Sequence, residues 1–188
     1  AASIPECFFT AWSNLVQRGS LREGDSVLIH GGTSGIGLAS IEILKLFKAK
    51  IFTTVGSAEK KEFCKNIGVN YIFNYKEEDY YKEIKKKIKG LDLILDYIGG
   101  EYINKNINLL ANDGKLINIG FQNGSRAEIN LMKIMLKRLT ISGSTLRIRD
   151  NLFKGRILKE LTKYVFPYFK TRKVKCYIDS VFNLSEAS

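Results

Sequence analysis

The stretch Val27-Leu28-Ile29-His30-Gly31-Gly32-Thr33-Ser34-Gly35-Ile36-Gly37-Leu38-Ala39 decides how the rest of the chain is read. An apolar run of strand length meets a cluster of glycines, after which apolar residues recur at helical spacing to about residue 48. Glycine permits positive φ and lets a ligand approach the backbone closely. The N-terminus of the following helix adds free N–H groups and a partial positive charge. Strand, glycine turn and helix in that order suit a pyrophosphate, whereas the same glycines elsewhere would mark only a tight turn. A dinucleotide held by the backbone of this loop is the expectation.

Outward from the loop, a strand-then-helix rhythm repeats. Ile51–Val55 reads as a strand, followed by a helix to Asn66 that Gly68 ends. Tyr71–Phe73 is the next strand, and a lysine-rich helix carries Tyr80, Ile84 and Ile88 on one stripe. Leu91–Asp96, a helix over 101–110, a strand Lys115–Ile119, a helix over 130–137 and a strand Leu139–Gly143 complete the pattern. Strands that are nearly continuous apolar runs are buried on both faces, which means a parallel sheet between two helical layers. The fold class is therefore α/β, a doubly wound parallel six-stranded sheet of Rossmann type, with its ligand crevice at the carboxyl ends of the first and fourth strands.

Upstream, Phe8, Trp12, Leu15 and Val16 mark an amphipathic helix over residues 4–18 closed by Gly19, with Ser3 and Glu6 at capping-box spacing and Pro5 in the first turn. Downstream, residues 151–188 read as a helix, a break at Pro167 and a strand Val174–Ile178 outside the main sheet. The division expected is 1–20 as a connection, 21–150 as the nucleotide-binding domain, and 151–188 as a closing helix and the start of a return. The chain begins without Met and stops within an incipient helix at Ser185–Ser188, so it is read as cut from a longer protein.

With 188 residues, 45% of them hydrophobic, the chain can bury a real core. Lys+Arg 30 against Asp+Glu 19 gives a net charge of +11, which raises the possibility of a basic RNA-binding module. Lys82, Lys85, Lys86, Lys87 and Lys89, however, fall on the solvent face of one helix while most aromatics fall on apolar stripes, so a solvated surface outweighs that reading. Cys7, Cys64 and Cys176 lie far apart and His30 is the single histidine, so neither a metal site nor a disulfide framework can be drawn and a reducing, cytoplasmic setting is expected. No apolar run of about 18 residues is present, and no membrane span is expected.

NAD sites place an acid after the second strand, where it bonds the ribose 2′-hydroxyl. Here that strand leads into Val55-Gly56-Ser57-Ala58-Glu59-Lys60. The hydroxyl of Ser57 and the ammonium of Lys60, with the phenol of Tyr75 after the third strand, suit a 2′-phosphate that a carboxylate would repel. The expected cofactor is NADPH. Taken alone, Ser57 and Lys60 also read as a helix cap and a solvated lysine; the missing acid favours the phosphate. Tyr81 and Lys85 have the spacing of a short-chain dehydrogenase pair, but they precede the position of that family's active-site helix and flank the Tyr80 stripe.

Thr10-Ala11-Trp12, Val27–Gly32, Ser34-Gly35-Ile36-Gly37, Val55–Lys60, Asn74–Asp79, Ile94-Leu95-Asp96, Gly99-Gly100, Asp113-Gly114, Ile119–Gln122 and Gly143–Arg147 together resemble the zinc-independent medium-chain dehydrogenases/reductases, of the quinone oxidoreductase (zeta-crystallin-like) type. The resemblance implies that Ser34, Gly35 and Ile36 cover the pyrophosphate and that Ser57, Lys60 and Tyr75 hold the 2′-phosphate. It implies that Asp96 to Ile98 border the ribose, and that Ile119, Gly120, Phe121, Gln122 and Thr10 lie along the nicotinamide. Leu146 and Arg147 are the substrate-side candidates. Ser34 and Tyr97 depart from the family pattern: a serine in left-handed backbone would be strained, and Tyr97 is larger than usual and narrows the crevice. The implied activity is NADPH-dependent reduction of a quinone or electron-poor alkene, with 2-enoyl thioester reduction as the alternative. A GroES-like domain would supply the other wall, so the fragment alone is expected to be inactive. A homodimer through the edge strand Leu139–Ser144 is expected.

Overall fold

A computed structural model describes residues 4–186, so the Ser3 half of the expected capping box lies outside the described residues. Helix α1 (Cys7–Trp12) runs into π-helical Ser13–Arg18. Then come β1 (Ser26–His30), α2 (Gly35–Leu46), β2 (Lys50–Val55), α3 (Ala58–Asn66), β3 (Tyr71–Asn74) and α4 (Tyr80–Lys87). They are followed by β4 (Leu91–Asp96), α5 (Tyr102–Leu109), β5 (Leu110–Asn118), α6 (Leu131–Lys137), β6 (Thr140–Gly143), α7 (Asn151–Tyr164) and α8 (Phe166–Lys170). The six strands are all parallel, in the order β3-β2-β1-β4-β5-β6. That is the Rossmann order, with its reversal between β1 and β4.

Each strand residue of β1 is buried, and β2 and β4 each have one residue that is not. Alternate residues feed two cores. Val27, Ile29, Leu93 and Leu95 pack with Trp12, Leu15, Ile41, Leu44 and Leu161 from α1, α2 and α7 and the π-helical turn. Leu28, Phe52 and Ile94 pack on the other side with Tyr80, Ile84, Ile103 and Ile107 from α4 and α5. Each such Leu or Ile side chain contributes about 1.5–3 kcal/mol by leaving water, and a sheet sealed on both faces presents only its strand ends to a ligand.

The sequence expectation needs correcting at three places. The first helix does not stay α-helical to residue 18: its last turn widens, and Gly19 N bonds Asn14 O at 2.8 Å. A side chain on Gly19 would collide with Leu93 on β4, so the glycine lets this turn lie against the sheet. β5 starts at Leu110, not at Lys115, because Asp113-Gly114 is absorbed as an irregularity in the strand. Asp113 sits at φ 63 and its carboxylate takes two 2.8 Å bonds from Arg138. Residues 174–178 form no strand. Their position is held instead by a side chain: Glu42, 1% exposed on α2, accepts Lys175 N at 2.8 Å and the Tyr177 hydroxyl at 3.0 Å. Pro167 does end α7, sitting in the first turn of α8 as its fixed φ allows.

The sheet ends in β6, beside which α6 exposes Leu131, Met132, Met135 and Leu136, all more than 60% accessible. Among the described residues, no helix is long and apolar enough to cross a membrane.

Candidate cofactor cleft

Because β1 pairs with β2 on one side and β4 on the other, α2 and α5 leave the sheet toward opposite faces. A crevice opens between the loops that follow β1 and β4. Gly31, the first residue past β1, takes φ +67, a conformation that side-chain-bearing residues avoid. Ser34 is the N-cap of α2, with φ −70 and ψ 158, and its hydroxyl accepts Gly37 N at 3.0 Å. The strain expected at Ser34 is therefore absent: serine replaces glycine in extended backbone and serves as a cap. Gly35 and Ile36 open the helix, where backbone N–H groups have no intrahelical acceptor.

Beneath the loop lies a buried polar floor. His30 is fully buried; its Nδ1 lies 3.1 Å from Thr54 Oγ1 and its Nε2 lies 2.9 Å from Asn106 Oδ1. An amide oxygen only accepts, so Nε2 carries the proton and Nδ1 accepts from Thr54, whose oxygen in turn accepts Gly31 N at 3.3 Å. Burial pushes the imidazole pKa down, against opposing effects of Asp96 and Asn106. The histidine thus fixes the end of β2 against the start of the loop. Asp96, also fully buried, accepts Ile98 N at 2.7 Å and Asn118 Nδ2 at 3.0 Å, and shapes the turn after β4.

The loops after β4 and β5 join to make one wall. Gln122 N donates to Tyr97 O at 3.0 Å, Asn123 N to Ile98 O at 2.7 Å, and Gly100 N to Gly124 O at 2.9 Å. The Tyr97 side chain reaches across to the other wall. A side chain on Gly31 would collide with its hydroxyl. Burial raises the Tyr97 pKa, with Ser34 acting against the rise.

The cleft so formed holds about 520 Å³. Of the expected site residues it brings together Ser34, Lys60, Tyr75, Tyr97, Ile98 and Gln122. Gly35 and Ile36 stand at the loop rim, while Ser57 caps α3 by accepting Lys60 N at 3.3 Å, between Gly56 and Lys60 of the cleft wall. Asp96 lies under the wall, and Ile119 is tied to it by a 2.8 Å backbone bond. Phe121 is half-exposed outside the lining. Thr10 is buried in α1, and Leu146 and Arg147 follow β6; the cleft lining includes none of the three. Sequence reasoning missed Thr33, Thr54, Glu101, Tyr102 and Asn123 as lining residues. Thr54, Glu101, Tyr102 and Asn123 stand at or just beyond the carboxyl ends of β2, β4 and β5, so a rule taking such positions after every central strand would have found them. Among the described residues Lys60 joins no ion pair, and no group of three His, Cys, Asp or Glu side chains could hold a metal.

A parallel doubly wound sheet with a glycine loop at its reversal point defines a dinucleotide-binding domain of Rossmann type. The family model described as zinc-binding dehydrogenase matches residues 35–163, and the chain belongs to that family, as a cofactor-binding domain of the zinc-independent medium-chain dehydrogenase/reductase type. It is 34% identical over 148 residues to human quinone oxidoreductase, covering 78% of this chain and 44% of that protein. It is 29% identical over 191 residues to a phenolphthiocerol/phthiocerol polyketide synthase of Mycobacterium tuberculosis, covering 100% of this chain and 9% of that protein. The nucleotide-binding subdomain of the enoylreductase domain of PpsC from the same organism superimposes with a TM-score of 0.79 at 29% identity, over 92% of this chain and 97% of that one. The chain thus spans under half the length of these two curated relatives.

Proposed function

We propose that the cleft holds NADPH and that the chain is the cofactor-binding half of a reductase acting on a quinone or another electron-poor double bond. The observation that carries this reading is the composition of the cleft beyond β2 and β3. Lys60 and Tyr75 line it there, the β2 end supplies no carboxylate, and Lys60 has no acidic partner among the described residues. A lysine left free beside a cleft is suited to a ribose phosphate. The loop fits the rest of the group, since it leads into the N-terminus of α2, whose free backbone N–H groups suit a pyrophosphate.

When bound, the nicotinamide supplies a hydride. This chain's residues do the holding. Lys60 and Tyr75 take the 2′-phosphate, Ser34, Gly35 and Ile36 the pyrophosphate, and Ile119, Phe121 and Gln122 the nicotinamide side. Leu146 and Arg147, which the cleft lining omits, face the substrate end only once a second domain completes the site. The exposed stripe on α6 and the unpaired side of β6 fit a homodimer formed by strand pairing over Leu139–Ser144.

A second reading, reduction of a 2-enoyl thioester, is favoured by one observation: similarity to the mycobacterial polyketide synthase runs through the whole chain, including residues 151–188. The complete protein, assayed with NADPH against a quinone panel and an enoyl thioester panel, separates the two. Turnover of quinones alone supports the first reading, turnover of thioesters alone replaces it with the second, and turnover of neither refutes both.

A further inference from the structure

We propose that Tyr97 sets the affinity of the cleft for a dinucleotide: its side chain lies across the pyrophosphate path in the ligand-free state and must swing aside to admit the cofactor. The inference rests on the dinucleotide reading above. β1 and β4 pair in register through Ile29 and Leu95, so the residues two positions on, Gly31 and Tyr97, face each other at the reversal point of the sheet. From there the tyrosine side chain crosses to the glycine loop. Its hydroxyl fills the space a side chain on Gly31 would take, at the loop that Ser34 closes as the N-cap of α2.

The backbone of Tyr97 is held on both sides. Its carbonyl accepts Gln122 N at 3.0 Å, and the next residue's N–H is bonded to Asp96 Oδ1 at 2.7 Å. Gly120 lies so close that a Cβ on it would come 3.3 Å from the Tyr97 Cβ. The backbone therefore stays in place, and the passage opens only by rotation about the side-chain torsions. With the phenol across it, the cleft still offers Lys60 and Tyr75 beyond the carboxyl ends of β2 and β3. An adenosine 2′-phosphate enters without disturbing Tyr97, whereas a full dinucleotide requires the open rotamer. A ligand that needs a minor state binds more weakly by the fraction of that state.

The test is calorimetric titration of the wild-type chain, Tyr97→Ala and Tyr97→Phe with NADPH and, separately, with adenosine 2′-phosphate. In Tyr97→Ala the NADPH Kd is expected to fall about tenfold, as for a passage open about a tenth of the time. Tyr97→Phe, which loses the hydroxyl contacts but keeps the ring, falls by less, and the adenosine 2′-phosphate Kd stays the same in all three. Weaker or unchanged NADPH binding by Tyr97→Ala overturns the proposal, since the phenol then contacts the cofactor or lies clear of it. If that variant fails to fold, tighter NADPH binding by Tyr97→Phe decides in favour and equal or weaker binding decides against. Failure of all three proteins to bind either ligand refutes the dinucleotide reading itself.

Discussion

Lys60 and His30 illustrate two kinds of site residue, one exposed and one buried, and each makes a different prediction. Lys60 stands in water beside the cleft, so its value lies in a charge-assisted contact that only the phosphorylated cofactor makes. Lys60→Ala should weaken NADPH binding about tenfold, corresponding to about 1.4 kcal/mol, and leave NADH binding unchanged; an equal loss for both cofactors would remove the phosphate assignment. His30 acts through burial. Its folded-state pKa lies below the ordinary 6.5, so the unfolded chain binds the proton more readily. Its contribution is complete above 6.5 and declines as the pH falls below that value toward the folded-state pKa. Because this is the single histidine, urea denaturation at about pH 7.5 and about pH 5.5 probes it, with lower stability expected at the lower pH. Stability that is flat or rising toward acid over that interval would contradict the neutral, buried imidazole. The loop's role was legible in its glycines. The tautomer of His30 was not, because Thr54 and Asn106 are far along the chain and only the packing brings them to the ring.

Among the elements, α2 carries an unusual load. It opens the cleft at its N-terminus and, two turns on, buries Glu42, which is ion-paired to Lys45 at 2.6 Å and also holds the segment after α8. Glu42→Gln keeps the shape but exchanges an acceptor pair for an amide that cannot accept all three donors. The expected cost is about 2 kcal/mol, with faster amide exchange confined to residues 174–178; unchanged exchange there would show that the segment is held by its apolar contacts alone. Periodicity foretold β1, β2 and β4 closely because their residues are largely buried on both faces and read as nearly continuous apolar runs. It failed where other forces ruled. The strand read from Lys115 begins at Leu110, with Arg138 pairing Asp113 inside β5, and Val174–Ile178 reads as a strand although a carboxylate, not a neighbouring strand, meets its first free N–H.

For the molecule as a whole, the +11 charge that first suggests nucleic acid is spread over helix surfaces, and one lysine of the excess, Lys60, lines the cofactor cleft. The exposed α6 stripe and free β6 edge predict a dimer in sedimentation equilibrium, which Leu136→Glu should dissociate toward monomer; a wild-type chain that is monomeric at tens of micromolar would reject the pairing. Fold class, strand order and the glycine cradle were readable because each depends on local pattern. The far wall of the cleft, where Tyr97, Glu101 and Asn123 converge, depends on how the loops after β4 and β5 join, which no single segment encodes. The central claim is that this cleft recognises the 2′-phosphate. Side-by-side titration of the wild-type chain with NADPH and NADH tests it most directly: the account predicts that NADPH binds at least about tenfold more tightly, and equal affinities, or a preference for NADH, would contradict it.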